Sequence, residues 1–209
     1  MQRRLLLILV LLLLPAQSWA ADDCFNFRAT AGYVTDAADT SPVLGEIYPN
    51  SYSNGLTGGW DAAIDTRDRS TTVPRLAGGN QQIATTTLRT FRVDLPATGT
   101  YTIRLGMGDA TQGDVRNRYL IQDNTTTLFE VTDSGTIAAD SFFNANDTAA
   151  TAANWVTNYT SSGKNYVFAS TIFKFQIAAF NGLTRGSIAH LCISSSGGET
   201  FGFRRRGGP

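Results

Sequence analysis

Apolar and polar residues alternate through Tyr101, Thr102, Ile103, Arg104, Leu105, Gly106 and Met107. A period of two is the pattern of a strand with one buried face, and it predicts a strand over Thr100 to Met107. A second run, Leu88 to Leu95, precedes it, with Pro96 to Gly99 as the turn between them. Phe173, Phe175 and Ile177 alternate in the same way within Ile172 to Ala178 and read as core. Further strands are expected over Cys24 to Thr30, Arg118 to Gln122, Thr127 to Thr132, Asn165 to Ser170 and Ser187 to Ser194, with Gly, Pro, Asn and Asp marking the turns. No convincing helix is visible. The Ala-rich stretch Thr148 to Trp155 supports a turn or two, but its threonines and asparagines oppose anything longer. Many short strands in one unit of this size predict an all-β fold, a single β-sandwich or jelly roll of about eight to ten strands.

Three segments break the pattern. Met1 to Ala20 has Arg3 and Arg4, an apolar run from Leu5 to Leu14 and a small-x-small motif at Ser18 to Ala20, which predicts a cleaved export signal ending at Ala20. Tyr33 to Ala63 is rich in Gly, Ser, Asn, Asp and Tyr and reads as a long surface loop holding at most a short strand around Val43 to Tyr48. Residues 195–209, with Arg204 to Arg206, read as a flexible basic tail. The domain is expected over residues 21–194, and there is no detectable internal repeat.

Composition narrows the function classes. Hydrophobic residues make up 42% of the 209, enough for a core, and charged residues only 16%. Two lysines and twenty glycines suit strands and turns better than surface helices. Losing Arg3 and Arg4 takes two from 17 basic residues against 17 acidic ones, leaving a formal charge of −2. Such a balance offers no electrostatic footprint for nucleic acid, and the apolar run is too short for a membrane span. In an oxidising compartment the two cysteines, Cys24 and Cys192, are expected to pair and set the first and last strands side by side. Asn124, Asn146 and Asn158 each open an Asn-x-Thr sequon, which matters only in a glycosylating host.

Catalytic machinery is thin. His190 is the only histidine, and alternation through Ile188, His190 and Cys192 places it on the disulfide's face, where it reads as structural. There is no Gly-x-Ser-x-Gly elbow and no Cys/His cluster suited to zinc. Asp65 with Asp68, and Asp109 with Asp114, lie in turn-like sequence and read as solvated carboxylates, so no catalytic residue is assigned. A structural calcium is a possible cofactor by residue type alone, with Asp109, Asp114, Asp123 and Asp140 as candidate ligands.

The segment Phe91-Arg92-Val93-Asp94-Leu95-Pro96-Ala97-Thr98-Gly99-Thr100-Tyr101-Thr102-Ile103-Arg104-Leu105, followed by Gly108-Asp109, resembles the galactose-binding-like β-sandwiches, and among them the malectin-like and related carbohydrate-binding modules. Gly59-Trp60 with Asp65 to Arg69 and Arg75 to Gly79, and Tyr119 to Thr125, resemble neighbouring segments of such modules. The resemblance spans Trp60 to Val131, less than half the mature chain, and transfers no ligand residues. It implies a secreted, non-catalytic domain that binds a poly- or oligosaccharide. Sugars call for flat aromatic rings beside polar groups. Tyr48, Tyr52, Trp60, Trp155 and Tyr159 are the candidate rings, with Asp65, Arg67, Asp68, Arg69, Asp109 and Arg116 as their polar partners. The alternatives are an adhesive or structural surface protein with a protein partner, and a small carbohydrate-active hydrolase.

Overall fold

Sixteen strands run through the residues that the computed structural model describes, namely 23–28, 40–67, 80–109, 113, 115–139 and 141–196. The first sheet contains β1 (Asp23–Phe27), β2 (Thr40–Val43), β8 (Gly99–Asp109), β11 (Ser141–Phe143), β12 (Ala149–Thr151), β13 (Lys164–Phe168) and β16 (His190–Ser195). Its order is β12-β11-β8-β16-β1-β2, with β13 also on β8. The second contains β3 (Asn50–Ser51), β4 (Thr57–Trp60), β7 (Arg89–Asp94), β9 (Asn117–Asp123), β10 (Thr126–Val131) and β14 (Ile172–Ala179), in the order β10-β9-β14-β7-β4-β3. All these pairings are antiparallel except β1 with β2. A three-stranded sheet, β15-β6-β5, joins β15 (Gly186–Ile188), β6 (Asn80–Ile83) and β5 (Asp65–Arg67). Ser187 ties it to both large sheets: its amide donates to Asn117 Oδ1 in β9 and its hydroxyl to the Gly108 carbonyl in β8, each at 2.8 Å.

The expected all-β sandwich is present, and its strands of five residues or more number eight. Tyr101, Ile103, Leu105 and Met107 of β8 point inward against Phe91 and Val93 of β7 and Phe173, Phe175 and Ile177 of β14. Phe91 is the hub of an aromatic cluster, with ring centroids 5.4 Å from Phe25, 5.0 Å from Phe27 and 5.3 Å from Trp60. Burying each such ring is worth about 1.5–3 kcal/mol by area.

Three expectations change. Leu88 to Leu95 and Thr100 to Met107 do not form a hairpin, because β7 lies in the second sheet and β8 in the first. Pro96 to Gly99 is a corner that carries the chain across the sandwich, and the Tyr101 hydroxyl closes it by donating to the Ala97 carbonyl at 2.8 Å. The segment read as a long loop holds β2, β3 and β4, whose Pro, Asn and Gly content hides them from a pattern search. The Ala-rich stretch contributes β12 and a 3-10 turn, Ala152–Asn154, while the helix α1 (Trp155–Thr160) begins where a turn or two of helix was expected to end.

The first and last strands are neighbours as anticipated. β1 pairs with β16 so that Cys24 faces Cys192, and the two are joined by a disulfide. They project from the outer face of the first sheet, where Phe142, Tyr159, Ala189 and the disulfide form a small separate core. His190 is fully buried there, with Nδ1 2.6 Å from the Tyr159 hydroxyl. The proposed signal, the tail beyond Ser196, Asp68, Arg69, Asp114, Asp140 and Arg75 to Gly79 lie outside the described residues.

Candidate functional site

The outer face of the second sheet is built from the polar halves of alternating strands. In β7, Phe91 and Val93 enter the core, which turns Thr90, Arg92 and Asp94 outward. β14 repeats the arrangement with Lys174 and Gln176. The register sets Gly59 opposite Arg92, Arg92 opposite Lys174, and Lys174 opposite Gln122, forming one row across β4, β7, β14 and β9.

Gly59 leaves a gap in that row, and another piece of chain uses it. Its φ is +142°, and a Cβ there would lie 2.5 Å from the Tyr48 backbone nitrogen. The missing side chain lets residues 46–48 run against β4, with the Tyr48 amide donating to the Trp60 carbonyl and the Trp60 amide to the Glu46 carbonyl, both at 2.9 Å. Tyr48 is thereby laid over the sheet. The Arg92 guanidinium stacks 4.2 Å from its ring centroid, and its hydroxyl donates to Asp94 Oδ2 at 2.9 Å. Arg92 Nε in turn donates to Asp94 Oδ1 at 2.9 Å. The hydrogen bond to the Asp94 carboxylate pushes the Tyr48 phenol above its ordinary pKa.

Beside this assembly is a hollow of about 290 Å³ lined by Ile47, Tyr48, Trp60, Asp61, Arg92 and Lys174, with Gly59 and Thr90. It lies near the lower bound of about 300–1,000 Å³ for small-molecule sites, a fit for one sugar ring rather than an extended chain. A second hollow, about 410 Å³, lies beside β12 and is lined by small neutral residues such as Ala149, Ala150, Ser141 and Thr136, with Asn154 and Asn158. It is larger, and the described residues of its lining include no aromatic or charged side chain.

Of the rings singled out from sequence, Tyr48 alone has a described side chain that is not buried. Trp60 is fully buried and Tyr52 nearly so, and both pack in the aromatic cluster with Phe91. Burial pushes the Tyr52 phenol upward. Tyr159 is buried against His190. Trp155 opens α1. The polar candidates are scattered. Asp65 and Arg67 form an exposed ion pair at 2.6 Å on β5. Asp109 is fully buried at the end of β8. Arg116 is spent on structure: it stacks 4.1 Å over Phe180 and pairs through Nη2 and Nε with Asp133, which holds that carboxyl down at about 2.

Of the candidate calcium ligands, Asp109 and Asp123 fall among the described residues. The Asp123 carboxylate already accepts from the Ala169 and Ser170 amides and the Ser170 hydroxyl. Burial would raise its pKa, but these donors outweigh burial and lower it. Among the described residues, the one group of three possible ligands is Cys24, His190 and Cys192, whose sulfurs are bonded to each other.

Sequence reasoning missed Arg92, Lys174, Thr90 and Asp61 as candidates. For Thr90, Arg92 and Lys174 the signal was present in the outward positions of β7 and β14, which were read only for the side chains they bury.

No protein-family model matches the sequence, and no curated protein matches it. Solved structures do. The chain is similar to the YXIM protein of Bacillus subtilis at a TM-score of 0.44 and 12% identity, covering 85% of this chain and 41% of that one. A calcium binding mutant of Bacteroides uniformis β-glucuronidase 2 matches at 0.42 and 12%, over 83% of this chain and 18% of that one. The Podospora anserina GH26-CBM35 β-(1,4)-mannanase matches at 0.36 and 18%, over 68% and 28%. The chain thus spans less than half the length of each, and the functional reading rests on the geometry of the groove.

Proposed function

We propose that the protein is an exported, non-catalytic β-sandwich that binds saccharide in the groove framed by Tyr48, Arg92 and Lys174. The observation that carries this reading is the fixed placement of an aromatic ring over a polar sheet face, next to a hollow the size of a sugar ring. Tyr48 and Ile47 supply apolar contact for a pyranose, while Thr90, Arg92, Lys174 and Asp61 meet its hydroxyls. Little of this has to be ordered on binding, because Asp94 holds both Tyr48 and Arg92 in place.

The same bonds support binding over turnover. Glycoside hydrolysis uses two carboxyl groups flanking the bond to be cut. Asp94 has one oxygen engaged by Arg92 and the other by Tyr48, and Asp61 is the one carboxylate among the described residues that line the groove.

A glycan array probed with the wild-type protein and with Tyr48→Ala tests the reading. Retention of a saccharide by the wild type and its loss in Tyr48→Ala is the expected result. Retention unchanged by the substitution would move the site elsewhere, and capture of protein partners with no saccharide retained would favour an adhesive role.

A further inference from the structure

Resting on that reading of the groove, we infer that its saccharide is acidic, with a carboxylate or sulfate seated on Lys174. The observation is the charge arrangement of one cross-strand row. Lys174 lies directly opposite Arg92, a like-charge pairing that disfavours the sheet.

The two cations are also treated differently. Arg92 is neutralised in place, with Nη2 2.8 Å from Asp94 Oδ1 and its face covered by Tyr48. Lys174 faces Gln122 on its other side, and its ammonium donates to the neutral amide oxygen of Asn124 at 3.4 Å. The chain's other lysine, Lys164, is stacked 3.9 Å over the Phe129 ring instead. Lys174 thus lines a groove whose wall is aromatic, and among the described residues its ammonium has a neutral amide rather than a carboxylate as partner.

The remaining charge in the lining, Asp61, sits across from Thr90, one row away and two strands from Lys174. The groove is thus polarised along its length. An acidic sugar matches this polarity, with its anionic group at Lys174 and its hydroxyls donating toward Asp61. A neutral sugar leaves the lysine unmatched, and a simple anion leaves the rest of the groove unused.

Calorimetric titration of the disulfide-bonded protein with methyl glucuronoside, glucose 6-sulfate, methyl glucoside and acetate tests this. Methyl glucuronoside, glucose 6-sulfate or both are expected to bind at least about tenfold more tightly than methyl glucoside, a difference of about 1.4 kcal/mol or more. The preference should shrink as salt is raised. Whichever of the two binds more tightly identifies the anionic group. Lys174→Met should remove the preference. Gln122→Glu, which sets a carboxylate opposite Lys174 on the solvated face, should weaken the acidic probes and leave methyl glucoside unaffected.

Equal affinity for the acidic and neutral glycosides would overturn the charge inference and leave the saccharide site standing. Binding of acetate as tight as that of the glucuronoside would overturn the inference by showing a simple anion site. Binding of none of the four would overturn both readings.

Discussion

Replacing Gly59 with alanine should separate the fold from the groove. The new Cβ would lie 2.5 Å from the Tyr48 nitrogen and 2.7 Å from its Cα, contacts that real structures do not keep. The backbone at φ +142° would add strain of about 1–3 kcal/mol for any side chain. Keeping residues 46–48 in place would cost a further 1–3 kcal/mol or so in overpacking. Releasing them instead gives up two backbone hydrogen bonds of 2.9 Å, each worth about 0.5–1.5 kcal/mol net. The two routes are close in cost, so Gly59→Ala should destabilise the protein by about 2–6 kcal/mol and displace Tyr48 from Arg92. Gly55→Ala is the control: its φ is +85°, nothing lies within 4 Å of the added carbon, and the expected cost is about 1–2 kcal/mol. Urea unfolding followed by tryptophan fluorescence measures stability, and the glycan array measures binding. If Gly59→Ala were no less stable than Gly55→Ala, or kept full saccharide retention, the argument that this glycine positions Tyr48 would fail.

Other outcomes follow from the same structure. Changing Cys24 and Cys192 together to alanine should lower stability by up to about 5 kcal/mol, since the bond closes a separation of 168 residues; an unchanged urea midpoint would contradict this. Tyr159→Phe removes the buried hydrogen bond to His190 and should cost about 1–3 kcal/mol by the same assay. The Asp133 carboxyl should titrate near 2 in carbon-detected NMR and move up toward the ordinary value of about 3.9 in Arg116→Ala. Because that pKa is depressed by folding, its contribution to stability is present above the ordinary carboxylate range and is lost as pH falls through about 2.

The sequence made the layers of the sandwich readable but not the connections between them. β8 and β14 were visible because each alternates over many residues, and the cysteines marked which strands are neighbours. The Pro96 to Gly99 turn could not be told from a hairpin, because a corner between sheets uses the same residues as a turn within one. β4 was invisible since Thr57-Gly58-Gly59-Trp60 is chosen for close approach of other chain segments rather than for strand propensity. The groove was half readable. Tyr48 was picked as a ring in polar surroundings, yet Trp60 and Tyr52 looked the same in sequence and proved to be core. What separates them is burial across the sandwich, a long-range property that local composition does not carry.

A crystal soaked with a mixture of neutral and acidic oligosaccharides tests the central claim most directly. The account predicts a sugar ring against Tyr48, with polar contacts to Arg92, Thr90 and Lys174. A saccharide bound only beside Ala149 and Asn158, or anywhere that leaves the Tyr48 groove empty, would contradict it.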